Sequence, residues 1–285
     1  MRKFIFGSDW WTDCDDVVAT KILAKAVTDK KAVLLGAGIN ACMQYSGASF
    51  YNYLKYCGLD NVPIGIDHDA VDYGGEPPYQ ERLARESSFK PENSEFADAA
   101  ELYIKLLSEA DEKVEIIEIG FPQVLAKVLE SEPLLFKEKV AKIWMMAGKW
   151  DDNPGKEHNF AKTSRSARAG HYVCKNSPVP IVFLGFEVGY PVIVGSKVSH
   201  DDKLYQVFVD FHSPNGRYAW DPMLVQLAIT GDVEKAGYRL VKGTAYVDEN
   251  TGENYFEKNK NGLHGYVEKI YPDDYYRDII DNLIS

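Results

Sequence analysis

Lys3-Phe4-Ile5-Phe6-Gly7-Ser8-Asp9-Trp10-Trp11-Thr12-Asp13-Cys14-Asp15-Asp16 is the stretch that decides the fold. Its first half is a short apolar run of β-formers, the pattern of a buried strand. Its second half holds four carboxylates, Asp9, Asp13, Asp15 and Asp16, within eight residues. A helix-period pattern then begins at once with Val17, Val18, Ile22 and Leu23. Acids crowded at the carboxyl end of a strand repel one another unless something cationic sits among them. Oxygen-only ligation favours a hard divalent ion, calcium or magnesium. One or two of these aspartates would serve equally well in capping the helix. Four exceed what capping needs.

Beyond this stretch, strand and helix patterns alternate. Apolar runs at Ala32–Leu35, Val62–Ile66, Val114–Ile119, Lys142–Met146 and Val179–Leu184 are short and bounded by turn residues. Helix-period stretches lie between or beside them at Phe50–Cys57, Ala97–Leu107, Val124–Leu129 and Ser166–Val173. The alternation predicts an α/β protein: an open, mostly parallel sheet with helices on both faces. Ile66 to Asn93, with Gly74-Gly75 and Pro77-Pro78, reads as a long loop over the site. Later come helices at Leu204–Phe211 and Met223–Ile229, a strand at Tyr238–Val247 and a hairpin turn at Asn250–Tyr255. No repeat or linker interrupts residues 1–285, so a single domain is expected.

A net charge of −11 argues against nucleic acid or an anionic membrane as partner. No apolar run approaches bilayer length, and the opening strand lacks the pattern of a signal peptide. Cys14, Cys42, Cys57 and Cys174 are widely spaced with no CxxC pair. Reduced thiols in a cytoplasmic protein are the expectation, and zinc is unsupported.

In an open parallel sheet, ligands bind outside the carboxyl ends of the strands. The segments there are Gly36-Ala37-Gly38-Ile39-Asn40, Gly120-Phe121-Pro122-Gln123 and Met146-Ala147-Gly148, followed by Glu157-His158-Asn159. Far downstream, Trp220-Asp221-Pro222 opens a helix. None of these is a phosphate cradle.

In this order and spacing the segments resemble the inosine–uridine-preferring nucleoside hydrolases. Gly7-Ser8-Asp9 with Asp15-Asp16 is similar to that family's DxDxGxDD, and Asn40 to the end of its Val-Gly-Asn. Gly120-Phe121-Pro122-Gln123-Val124-Leu125-Ala126 stands for GPLTNLA, Met146-Ala147-Gly148 for MGG, and Glu157-His158-Asn159 for E-F-N. Trp220-Asp221-Pro222 stands for the late His/Trp-Asp-Pro. The resemblance implies hydrolysis of the N-glycosidic bond of a ribonucleoside, or a related N-ribosyl compound, with Ca2+. Carried over residue by residue, it implies that Asp9 is metal ligand and general base. Asp16, Asp221 and the main-chain carbonyl near Gln123 would complete the protein's share of the metal shell. Asp15, Asn40, Glu157 and Asn159 would hold the ribose hydroxyls. The family often forms homodimers or homotetramers.

The chain also departs from the family pattern. Five residues, Trp10 to Cys14, separate Asp9 from Asp15, two more than the family has. Aligned instead without a gap from Asp15-Asp16, Trp11 takes the place of the base. The distance from the strand start at Lys3 favours the register that keeps Asp9. Asp13 is then the reserve carboxylate, or a loop acid before the helix. Trp220 stands where purine-cleaving members have a histidine, and with Trp10 and Trp11 it is a candidate wall for a nucleobase. Core packing is the competing reading for each tryptophan. His158 replaces an aromatic and is placed to reach the base, although a lone histidine more often packs or caps. Two rival functions stand beside hydrolysis: a ribose- or nucleoside-binding protein without turnover, and an aspartyl-phosphate receiver. The chain is much too long for a receiver alone.

Overall fold

The computed structural model describes residues 1–152 and 155–285. In chain order the first half runs β1 (Arg2–Ser8), α1 (Asp15–Thr28), β2 (Ala32–Ile39), α2 (Ser46–Tyr56), β3 (Ile64–Ile66), α3 (Gln80–Arg85), β4 (Ala97–Asp98), α4 (Ala99–Glu109), β5 (Val114–Glu118), α5 (Gln123–Ser131), α6 (Pro133–Lys139) and β6 (Val140–Met146). The second half runs α7 (His158–Ala161), α8 (Ser164–Asn176), β7 (Ile181–Leu184), α9 (Phe186–Gly189), β8 (Ile193–Val194), α10 (Lys203–Asp210), β9 (Arg217–Tyr218), α11 (Trp220–Thr230), β10 (Tyr238–Val247), β11 (Asn254–Lys258), β12 (His264–Lys269) and α12 (Asp273–Ile284).

Among the described residues, ten strands form one sheet in the order β11-β10-β12-β7-β6-β5-β1-β2-β3-β4. Only β10 runs against the rest, pairing antiparallel with β11 and β12. The sheet is therefore α/β and mostly parallel, as the alternating pattern predicts. β1 lies near its middle, between β2 and β5. Successive side chains of a strand face opposite ways. Phe4 and Phe6 accordingly join the apolar layer under α1 and α11, while Ile5 joins the layer under α4 and α5. Two helical layers thus cover the sheet.

Two expectations need correction. The second strand does not stop at Leu35; β2 continues through Gly36-Ala37-Gly38 to Ile39. Its glycines mark a close approach of helix to sheet rather than a turn. A Cβ on Gly36 would lie 2.5 Å from Leu106 Cδ1, and one on Gly38 2.8 Å from the Tyr103 ring, both residues of α4. The long loop from Ile66 to Asn93 contains a short helix, α3, held where Leu83 is buried in the core. The elements β4, α6, α7, α9, β8, β9, β12 and α12 are additions to the sequence reading.

After β1 the chain makes a tight, left-handed turn. Trp10 has φ 51° and Thr12 φ 69°, a conformation costing side-chain-bearing residues about 1–3 kcal/mol each. Hydrogen bonds hold the turn: Trp10 N–H donates to Ser8 Oγ (3.0 Å) and Asp16 Oδ1 (3.2 Å), and Gln80 Nε2 donates to Trp10 O. The turn drives the Trp10 indole into the core rather than to a ligand-facing wall. There it meets Phe50 edge-on at 4.7 Å and Tyr79 at 5.9 Å, and its Nε1 donates to Ser49 Oγ at 2.8 Å. For Trp10 core packing wins. Trp10→Ala is expected to cost about 3–5 kcal/mol of stability in urea unfolding, with Trp10→Phe costing clearly less; equal, small losses would contradict this packing role.

Candidate active site

The register of the central strands sets the site. Ser8 of β1 pairs with Ile39 of β2, and Gly7 with Glu118 of β5. The next residues, Asp9 and Asn40, therefore emerge at one rim of the sheet beside Glu118. α1 starts at Asp15 and α11 at Trp220, so Asp16 and Asp221 each lie in the first turn of a helix. A helix N-terminus favours negative charge there. Ligand oxygens of Asp15, Asp16 and Asp221 all lie within 4.8 Å of one another, and all three residues are buried.

Asp9 belongs to the same electrostatic group. Burial is the largest cause raising the carboxyls of Asp9, Asp15, Asp16 and Asp221 above their usual range, and their mutual repulsion adds to it. Hydrogen bonds partly oppose this. Asp9 Oδ1 accepts from Trp11 N–H at 3.0 Å, Asp16 Oδ1 from Ser8 Oγ, and Asp15 Oδ2 from Asp221 N–H at 3.2 Å.

Above the acids lies a cavity of about 320 Å³, within the range of about 300–1,000 Å³ usual for small-molecule sites. Asp9, Asp13, Asp15, Asp16, Asp221, Glu157, His158 and Asn159 line it, with Trp11, Phe186, Trp220, Met146, Thr12, Ile119 and Arg217. Trp11 and Trp220 are thus both walls of the cavity. Trp220 stacks on Phe186 at 5.4 Å and donates its Nε1–H to Phe186 O at 2.8 Å.

Glu157 caps α7. It accepts from the N–H groups of Gly148 (2.8 Å), Asn159 (2.7 Å) and Phe160 (3.3 Å), while burial still pushes its carboxyl up to about 7. Asn159 spends its Nδ2 on the carbonyls of Ile119 (3.1 Å) and Met146 (2.8 Å), tying together the ends of β5 and β6. His158 lies nearly parallel to Trp11 with ring centroids 6.1 Å apart. Partial desolvation, with the nearby Lys162, lowers the imidazole of this exposed residue to about 4, so it is neutral at physiological pH.

Asn40 and Gln123 sit behind the cavity rather than in its lining. Asn40 Nδ2 donates to Glu118 Oε1 at 2.6 Å, and Gln123 Nε2 donates to Asn40 O at 2.7 Å and to Tyr73 Oη at 2.9 Å. Asp13 is paired: Arg217 Nε donates to its Oδ1 at 2.8 Å, and Arg217 Nη2 donates to its Oδ2.

Glu118 and Arg217 were absent from the sequence-derived site. Glu118 is fully buried, and burial raises it to about 8. It fits because its neighbour is glycine: a Cβ on Gly7 would lie 2.3 Å from Glu118 Oε2. A carboxylate inside the apolar run Val114–Ile119 was the visible signal. Arg217 left no comparable signal, since only the folded chain brings it to Asp13.

No family model and no curated protein matches the sequence. Solved structures do match the fold. The inosine–uridine-preferring nucleoside hydrolase of Bacillus anthracis superposes with a TM-score of 0.75 at 15% identity, over 100% of this chain and 99% of that one. A plant nucleoside hydrolase gives 0.76 at 13% identity, covering 99% and 98%. A type III effector protein complexed with adenosine diphosphate ribose gives 0.69 at 14% identity, covering 99% and 93%. The chain has the nucleoside hydrolase fold.

The raised carboxyls make stability pH-dependent. Glu157 and Glu118, at about 7 and 8, hold protons in the folded chain that the unfolded chain releases near pH 4.3. His158 and the buried His264, both lowered to about 4, oppose this trend only below the ordinary histidine range. Between about pH 6.5 and 8 the folded state therefore binds more protons, and stability falls as pH rises. Urea midpoints measured in chelator should be lower at pH 8 than at pH 6.5. A midpoint that rises over this window would contradict the assignment.

Proposed function

We propose that the chain hydrolyses the N-glycosidic bond of a ribonucleoside or related N-ribosyl compound, using Ca2+. The observation that carries this reading is the group of buried aspartates at the strand ends, beneath an aromatic-walled cavity. The donor set suits a hard divalent cation. Its side chains are all carboxylates, crowded and desolvated, with each acid raising its neighbours, and a divalent charge relieves that repulsion.

Asp16 and Asp221 would hold the ion with Asp9 and the main-chain carbonyl of Gln123. Asp15 lies close enough to Asp16 and Asp221 to serve both the ion and a sugar hydroxyl. When bound, calcium supplies the charge that acidifies an attacking water and grips neighbouring hydroxyls. Asp9 accepts the water's proton as C1′ gains oxocarbenium character. Asn159 has spent its amide hydrogens on main-chain carbonyls, so its Oδ1 is the atom left to accept a ribose hydroxyl. Glu157 adds a second acceptor, and Asn40 contributes through Glu118 and Gln123. Trp11 and Trp220 flank the base, with His158 beside it as a neutral hydrogen-bonding ring.

One observation favours the rival reading of a ribose- or nucleoside-binding protein. Asp9 is not part of the triad whose oxygens lie within 4.8 Å of one another. Turnover separates the two readings. Wild type loaded with calcium should release free ribose from at least one member of a nucleoside panel, and Asp9→Asn should lower kcat by about 10²–10⁴-fold while retaining the metal. Binding without ribose release would favour the rival, and unchanged activity in Asp9→Asn would remove Asp9 as the base.

A further inference from the structure

Departure of a nucleobase takes the electron pair of the C1′–N bond into the cavity. Among the described residues, six carboxylates line that cavity: Asp9, Asp13, Asp15, Asp16, Glu157 and Asp221. Among the described residues, the one permanently charged cation in the lining is Arg217. Its place is built rather than incidental. It belongs to β9, which pairs with β8, and the residue after β8, Gly195, donates to the buried Asp281 of α12 at 2.7 Å. Three rings surround the guanidinium, Tyr218 at 4.9 Å, Phe211 at 5.2 Å and Trp220 at 5.8 Å. Asp13 accepts from Nε and Nη2, and among the described residues no acceptor meets Nη1.

We propose that Arg217, oriented by Asp13 and packed beside Trp220, is the group that stabilises the departing base. This rests on the hydrolase reading above. The C1′–N bond breaks with its electron pair passing to the base nitrogen, where the guanidinium donates a hydrogen bond and offsets the charge. Water oxygen bonds to C1′, and its proton goes to Asp9. The base then takes a proton from solvent, and Asp9 returns its own to solvent. One water is consumed. His158, lowered to about 4, is neutral near pH 7 and brings no positive charge to the departing base. A role confined to the leaving group also separates Arg217 from the carboxylates, which act on the sugar and the water.

The test compares two leaving groups. Steady-state kinetics of wild type, Arg217→Gln and Arg217→Lys are measured on a nucleoside the wild type cleaves, on its 5′-phosphate, and on 4-nitrophenyl β-D-ribofuranoside. The nitrophenolate leaves readily and needs little help. Arg217→Gln should lose about 10²–10³-fold in kcat on the nucleoside, with a loss on the nitrophenyl riboside at least about tenfold smaller. Arg217→Lys keeps a cation, should fall between the two, and serves alone if the glutamine variant does not fold. Equal losses on both substrates would reduce Arg217 to a structural role and overturn the proposal. A rise in KM confined to the 5′-phosphate would make it an anion-binding residue and overturn it equally. Wild type cleaving the nitrophenyl riboside but no nucleoside would overturn it too, whereas wild type inert on all three substrates would remove the hydrolase reading itself.

Discussion

Mutual repulsion among buried carboxylates is the constraint on which this structure turns. Asp9, Asp15, Asp16 and Asp221 come from two distant parts of the chain, and burial and their neighbours raise all four. Such a group is unfavourable in isolation, and nothing in core packing requires it. Its position explains its assembly. Three parallel strand ends and two helix starts converge there, and the helix N-termini favour negative charge. The fold thus gathers acids where its own dipoles soften the cost.

The same constraint accounts for the turn from Ser8 to Asp15. Two side-chain-bearing residues with positive φ are unusual in a six-residue connection. In return the turn sends Trp10 into the core, leaves Trp11 on the cavity wall and aims Asp13 at Arg217. This connection supplies a core anchor, a cavity wall and an ion pair, while Asp9 stays at the end of β1 among the acids.

Much of this was legible in the sequence because it is local. The apolar run and the four acids named the central strand and the charged rim, and the alternation of patterns named the parallel sheet. Asp16, Asp221, Glu157 and Asn159 were found through short motifs whose spacing survives in a divergent chain. What escaped depends on distant packing. The glycines of β2 read as a turn because nothing in the local sequence announces Leu106 and Tyr103 pressing on them. Trp10 and Trp11 were indistinguishable as neighbours, and only the left-handed turn separates their fates. Glu118 needed the space left by Gly7 on the adjacent strand, and Arg217 lies some two hundred residues from its partner Asp13. Sequence order carries none of those pairings.

The most direct test of the central claim is calcium titration by calorimetry at pH 7, repeated in buffers of different ionisation enthalpy to count protons. Carboxyls raised by burial and by one another must lose protons as a divalent ion enters. Saturable binding of one Ca2+ with net proton release is expected, both abolished or greatly weakened in Asp16→Asn. No binding, or binding with no proton release and no dependence on Asp16, would contradict it.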